Sequence, residues 1–313
     1  MGIVPAGRLA WGVQLPVVAQ SKMVASPWER GLGAGPLVES AKAADGAGAF
    51  YVAVCDHTAI PRAAAETMST TWYHPFVTLS YLAAVTETTR LMTNVLVGPF
   101  RHPLETAKAV STLDELSAGR ALVGVGAGHV EGEFEALGVD FAERGSTLDE
   151  SIDLLRVALA DEYPAFDGPT LHVHGVGLAP RPVQDHVPIW VGGSSRPALR
   201  RAAERGDGWI PQGTPRDKMP EQIEYLERHR DDVRPGAEIE IGAMVGCHVG
   251  EAEWDVPRGA LVASPDEIVE SYNEYGSWGV SHLQVKLHAR SLDEYCDQLA
   301  AFGSQVAPHL IRV

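Results

Sequence analysis

The sequence predicts an α/β fold, a single (β/α)8 TIM barrel. Three observations lead there. Short β-branched runs alternate with stretches of helical period eight times in succession. Glycines and polar groups gather where those runs end. The chain has 313 residues, a length that one barrel with an insertion fills. An open doubly wound sheet would show fewer strand–helix units.

The first strand is Leu9–Pro16, followed by a helix near Pro36–Gly48. The second, Phe50–His57, leads through a long loop to a helix near Pro75–Thr88. The third, Arg90–Val97, precedes a helix over Pro103–Ala118, and the fourth, Arg120–Gly126, one over Thr147–Ala160. Asp161–Arg181 breaks the rhythm and reads as an insertion holding one or two short strands. The fifth strand, Pro188–Val191, is followed by a helix from Pro197, and the sixth, Gly208–Pro211, by one near Lys218–His229. Glu238–Val249 and Val280–Leu287 complete the eight, each with a helix behind it. The domain is expected to run over residues 1–313, with the insertion at about 161–181.

Composition narrows the function classes. With 45% hydrophobic and 21% charged residues, the chain reads as an ordinary globular protein. A chain this long buries roughly three quarters of its unfolded surface and needs neither disulfide nor metal to fold. Cys55, Cys247 and Cys296 are sparse and lack CxxC spacing, which points to a reducing compartment and away from a zinc site. The N-terminal residues show no basic region followed by an apolar one, and no apolar run approaches a membrane span. A cytoplasmic location is therefore expected. A formal net charge of −16 argues against nucleic acid or an anionic membrane as partner. It also requires that an anionic cofactor be held by local geometry.

In a barrel of this kind the active site is built at the C-terminal strand ends. Asp56 and His57 end the second strand, and a histidine there can exchange protons near neutral pH. Asp56 points to the opposite side of the strand, so it is not automatically the partner of His57, and the pair could equally be a strand-ending cap. Asn94 interrupts the apolar third strand, either as a satisfied core amide or as a bulge lining a cavity. GVGAGHVEGEF, from Gly124, lacks the full dinucleotide fingerprint, but its small residues would let a flat ring approach, with His129 at the pocket mouth. Gly192, Gly193, Ser194 and Ser195 precede a helix and form a cradle for an anion, helped by Arg196, Arg200 and Arg201. The plain alternative is a Ser-capped helix. Gln14, Trp72, Tyr73 and Trp209 are candidates for the substrate pocket. His172 and His174 alternate as on a strand, but no third ligand lies at metal-binding spacing, so no metal is expected. Hydrolase elbows, P-loops and HExxH motifs do not occur.

Two segments carry a family resemblance. LDELSAGRALVGVGAGHVEGEFEALGVDFAERGSTLDESIDLLR (Leu113–Arg156) and PIWVGGSSRPALRRAAERGDGWIP (Pro188–Pro211) resemble the two signature segments of the luciferase-like monooxygenase superfamily. The likeness covers nearly the whole chain and is strongest to the actinobacterial branch that uses the deazaflavin coenzyme F420. It implies a proton-transfer role for His57, with Asp56 beside it, and a non-prolyl cis peptide at Asn94–Val95 backing the cofactor ring. It further implies that Gly192, Gly193, Ser194 and Ser195 hold the cofactor phosphate and that Gly128 and His129 border the ring. His129 stands where sugar-phosphate dehydrogenases of that branch carry a glutamate, which argues against assuming such a substrate. The resulting expectation is hydride transfer between F420 and a small or medium organic substrate by a homodimer. The alternatives are a monooxygenase using reduced FMN with a separate flavin reductase, and a flavin-binding barrel without catalysis.

Overall fold

The computed structural model describes residues 2–22 and 24–312. Among these residues, strands and helices follow one another in the order the sequence predicts. β1 (Ala10–Gln14) leads to α1 (Ala34–Gly46), and β2 (Tyr51–Val54) to α2 (Ala65–Met68) and α3 (Pro75–Ala83). β3 (Arg90–Val97) precedes α4 (Pro103–Leu116), and β4 (Ala121–Gly126) precedes α5 (Glu131–Leu137) and α6 (Arg144–Ala160). The insertion carries β5 (Phe166–Asp167) and β6 (His172–Val173), paired antiparallel. β7 (Ile189–Gly192), α7 (Arg196–Arg205), β8 (Gly208–Ile210) and α8 (Met219–Val233) come next. β9 (Glu240–Val249), β10 (Leu261–Ala263), α9 (Pro265–Ser277), β11 (His282–Leu287) and α10 (Leu292–Ala301) follow, and short helical turns continue to His309.

Eight parallel strands close into a barrel in the order β1-β2-β3-β4-β7-β8-β9-β11, with β11 returning to β1. Length explains the one irregularity. β9 has ten residues, so its start pairs with β8 while its end, Cys247–Val249, is long enough to recruit β10. Sequence reasoning missed α2, α5 and β10. Each is short (four, seven and three residues), below the length at which periodicity is readable.

Two layers of apolar packing position the site. The larger lies between barrel and helices and includes Leu91, Val123, Ile152 and Leu283. The smaller fills the barrel's N-terminal end with Val4, Tyr51, Met92, Leu122 and Trp190. Trp190 stacks on His282 at 4.1 Å, and complete burial pulls that imidazole down to about 3, so it stays neutral at physiological pH. The rings fit because glycines face them: a Cβ on Gly208 would come within 2.5 Å of Trp190, and one on Gly242 within 2.5 Å of His282. The lower interior of the barrel is therefore filled by side chains, and the cleft that holds the strand-end residues opens toward the C-terminal ends.

Candidate active site

A cleft of about 520 Å³ opens at the C-terminal ends of β1, β2, β3, β4 and β7. His57 enters it just beyond β2, with its side chain 10% exposed. Its Nδ1 lies 2.5 Å from Oε2 of Glu133, a residue of α5 whose side chain is 1% exposed. Glu133 also accepts from the Thr58 and Ala59 N–H groups at 2.8 and 3.0 Å. Burial alone would raise the Glu133 carboxyl. The hydrogen bonds from His57 and from those two N–H groups outweigh it and hold the carboxyl below its ordinary range. An ionised acceptor at Nδ1 makes that nitrogen the donor, so the lone pair lies on Nε2. Trp72 packs on the His57 ring at 4.3 Å, and the His129 ring meets it edge-on at 5.6 Å. Burial lowers the His129 imidazole, with the charge of Glu133 opposing. His129 is thus a predominantly neutral wall group near neutral pH.

Asp56 borders the cleft, and its carboxylate is engaged by protein partners. Its carboxylate holds the Arg101 guanidinium in a two-point contact at 2.7 and 2.9 Å and accepts from the Val97 N–H at 2.9 Å. The strand alternation that separates it from His57 turns it toward β3 and the turn after it. Asp56 therefore fixes the end of β3 relative to β2.

Asn94 and Val95 are joined by a cis peptide at a register shift between Thr93 and Leu96. Thr93 stitches this bulge to β4, donating to the Gly124 carbonyl at 2.8 Å and accepting from the Gly124 N–H at 3.0 Å. Asn94 donates through Nδ2 to Oε1 of Gln284 at 2.6 Å, while its buried Oδ1 has no partner among the described residues. Small residues around β4 serve the bulge as well as any ring. A Cβ on Gly126 or on Gly192 would lie 2.7 Å from the Val95 side chain. Both glycines make room for Val95, which stands in the cleft wall. Gly128, at φ +81°, borders the same wall, where a Cβ would meet Val97 at 2.7 Å and the Phe134 ring at 2.9 Å.

Across the cleft from His57, the chain leaves β7 through Gly192 and Gly193 and enters α7. Gly193 has φ +118°, a conformation that L side chains avoid. Ser195 caps the helix, accepting from the Ala198 N–H at 3.4 Å. The backbone N–H groups of Ser194, Ser195 and Arg196 find no protein acceptor among the described residues. The Ser194 hydroxyl is committed elsewhere: it accepts from the Gln212 N–H at 2.8 Å and from Thr214 Oγ1 at 2.6 Å, tying this loop to the one after β8. Arg144 and Arg201 border the cleft on this side. Arg201 is paired with Asp149 at 2.5 Å. Arg144 lies over the Phe141 ring and donates to the Phe141 carbonyl, with no carboxylate within 4 Å among the described residues. Arg196 is drawn away to Glu221 and Tyr225.

Other expected site residues divide. Gln14 and Trp72 line the cleft. Trp209 does not: it is fully buried in the layer outside the barrel, where Nε1 donates to the Gly193 carbonyl at 2.7 Å and buttresses the cradle from behind. Tyr73 turns into the same outer core. His172 and His174 both bond Asp167 on the exposed hairpin, and no group of three metal-ligating side chains occurs among the described residues. None of their helices is long and apolar enough to cross a membrane. Sequence reasoning missed Glu133, Arg101, Arg144 and Gln284. For Glu133 the signal was an acid four residues past His129, within reach of the strand-end histidine only once α5 folds back.

The site fits a flat ring with a phosphate tail. Free N–H groups at a helix N-terminus and the unpaired Arg144 suit a phosphate. The orphaned Asn94 Oδ1 and the neutral His129 offer polar edges along the wall between.

The family model for luciferase-like monooxygenases matches residues 12–260. An uncharacterized protein of Mycobacterium tuberculosis is 36% identical over 166 residues, 53% of this chain and 57% of that protein. The FMNH2-dependent dimethylsulfone monooxygenase of Pseudomonas putida is 30% identical over 216 residues, 65% of this chain and 57% of that enzyme. The chain thus spans little more than half the length of the curated relatives it matches. Among solved structures, the coenzyme F420-dependent tetrahydromethanopterin reductase of Methanopyrus kandleri superposes with a TM-score of 0.76 at 17% identity, over 97% of this chain and 99% of that one. That likeness bears on the fold.

Proposed function

This chain belongs to the luciferase-like monooxygenase family, and we propose that it moves a hydride between the deazaflavin coenzyme F420 and a small or medium organic substrate. The observation that carries this reading is the His57–Glu133 pair facing the cleft opposite the α7 cradle. A bound deazaflavin supplies a two-electron hydride carrier that does not readily activate oxygen. The protein then has to hold the phosphate, orient the two partners and move one proton. Ser194, Ser195 and Arg196 N–H groups with Arg144 grip the phosphate; Gly128, His129 and the Asn94–Val95 bulge border the ring. His57 Nε2 exchanges the substrate's proton, and Glu133 stabilises the imidazolium formed when that nitrogen takes it. Trp72 covers the pair and limits water. Fixing both partners in contact contributes several kcal/mol toward the barrier.

A second reading is favoured by the Pseudomonas putida relative, whose name specifies FMNH2. In it, the same cradle holds reduced FMN, the reaction inserts oxygen, and a separate flavin reductase is the partner. Anaerobic assays following F420 absorbance with alcohols, enones and imines test the first reading. Oxygen uptake that requires reduced FMN and substrate, with no F420 turnover, supports the second. As assembly we propose a homodimer, a state that would cover the exposed Val77 and Tyr81 of α3.

A further inference from the structure

Beside the cofactor cleft lies a second chamber of about 270 Å³, at the ends of β1, β9 and β11. Gln14 and Val24 border both spaces. Strand register explains the partition. Gly12 pairs with Gln284, so Gln14, two residues on, lies level with Lys286 on the next strand, and all three side-chain positions share one parity. Gln284 faces the chamber while its Oε1 accepts from Asn94 of the cofactor wall. The two glutamines therefore stand between the spaces and leave the Gln14 side open to both.

The chamber's walls are mainly apolar. Val24, Trp28, Met244 and Leu287 contribute, and Met244 is 44% exposed although its strand belongs to the barrel wall. Among them stands one cation. The Lys286 ammonium donates to the Val24 carbonyl at 2.8 Å and has no carboxylate within 4 Å among the described residues. Two of its three N–H donors are left over. Burial pulls this ammonium below its ordinary range, with the charge of Glu29 opposing. Glu29 does not compete for an anion's place. Its oxygens accept from the Ser26 and Val17 N–H groups at 2.7 and 3.0 Å, and burial pushes its carboxyl up despite those bonds. Lys286, an exposed residue at the edge of this apolar surface, suits a ligand that brings both a counter-charge and a hydrocarbon body. A neutral hydrocarbon would leave Lys286 without its counter-charge, and a highly polar sugar would waste the walls. A cation would be repelled. Tyr295, whose buried hydroxyl lacks a partner among the described residues, offers a further polar point on the wall.

We propose that this chamber binds the organic substrate, and that the substrate is an amphipathic monocarboxylate whose head lies on Lys286 and whose apolar chain lies against Trp28 and Met244. This rests on the hydride-transfer reading above and adds to it the substrate class. The volume is just under the roughly 300–1,000 Å³ range of larger ligand pockets, so a medium-length chain fits.

The test uses calorimetric titration of the cofactor-free and F420-loaded protein with octanoate and with 1-octanol, which share a chain and differ in the head. The expected result is octanoate binding about tenfold or more tighter than octanol, since one unpaired charge is worth at least that ratio. Lys286→Met should remove the preference and Lys286→Arg keep it. Equal binding of the two probes, no binding of octanoate, or a preference that survives Lys286→Met would overturn the proposal. The wild-type comparison decides even if the methionine variant does not fold. Octanoate selectivity in a protein that does not bind F420 would sink the hydride-transfer reading and leave the chamber's ligand class standing. F420 binding without octanoate selectivity would do the reverse.

Discussion

Nδ1 of His57 lies 2.5 Å from Oε2 of Glu133, across 76 residues of chain. One partner ends a barrel strand and the other sits on the short helix α5, so the contact exists only when the β4–α5 connection is folded against the β2 loop. Glu133 also pins the Thr58 and Ala59 N–H groups. A single carboxylate thereby orients the imidazole and the start of the loop that carries Trp72.

His57→Ala should lower turnover by roughly 10²–10⁴-fold, the usual worth of a positioned acid or base. Cofactor affinity should stay nearly intact, because the phosphate cradle is on the far side of the cleft. Steady-state rates and a parallel binding titration separate the two effects. Loss of binding with unimpaired turnover of bound cofactor would remove the proton-transfer role.

Glu133→Gln keeps the shape and removes the charge that favours the imidazolium. Turnover should fall. The same substitution has a stability signature. The Glu133 carboxyl is held below its ordinary value of 4.5, so its contribution is present above that value and is lost as pH falls through the folded-state value. Urea unfolding should show the wild type more stable than Glu133→Gln at neutral pH, with the gap shrinking below about pH 4.5.

Asp56→Ala acts on stability more than on chemistry. The Asp56 side chain is 1% exposed and the Arg101 side chain 11%, and removing one partner of a buried pair costs about 3–5 kcal/mol. Denaturant unfolding measures this directly. A change of under about 1 kcal/mol, the range of exposed pairs, would contradict the structural role.

Arg144→Met and Gly193→Ala weaken the phosphate grip by different routes. The first removes a charge and should cost about tenfold in cofactor affinity while flattening its salt dependence. The second forces a Cβ onto a residue at φ +118°, 3.0 Å from the Ala198 side chain, distorting the cradle without altering salt dependence. Affinity measured across a salt series distinguishes them.

The barrel was legible because its strands are β-branched runs whose length and spacing survive without tertiary context. The cradle was legible for a similar reason: GGSS followed by Pro197 is a local strand-to-helix signal. What escaped was set by distance or by parity. Glu133 reaches His57 across the barrel mouth, and α5, seven residues long, shows no periodicity from which its facing could be read. Trp209 sits on a strand of three residues, too short for alternation to show which face it joins, and it faces outward. Strand alternation already separated Asp56 from His57, but its partner Arg101 lies 45 residues on and left no local signal. Gly126 suited a flat ring by size and Gly192 an anion cradle, and the Val95 side chain occupies the space their missing Cβ atoms leave.

The most direct measurement is an anaerobic titration of the cofactor-free protein with F420 and, side by side, with oxidised and reduced FMN, followed by fluorescence quenching. The account predicts tight, saturable binding of F420, weakened by Arg144→Met, and much weaker binding of either FMN form. Preferential binding of FMN, above all its reduced form, would contradict it and place the protein with the oxygen-inserting enzymes.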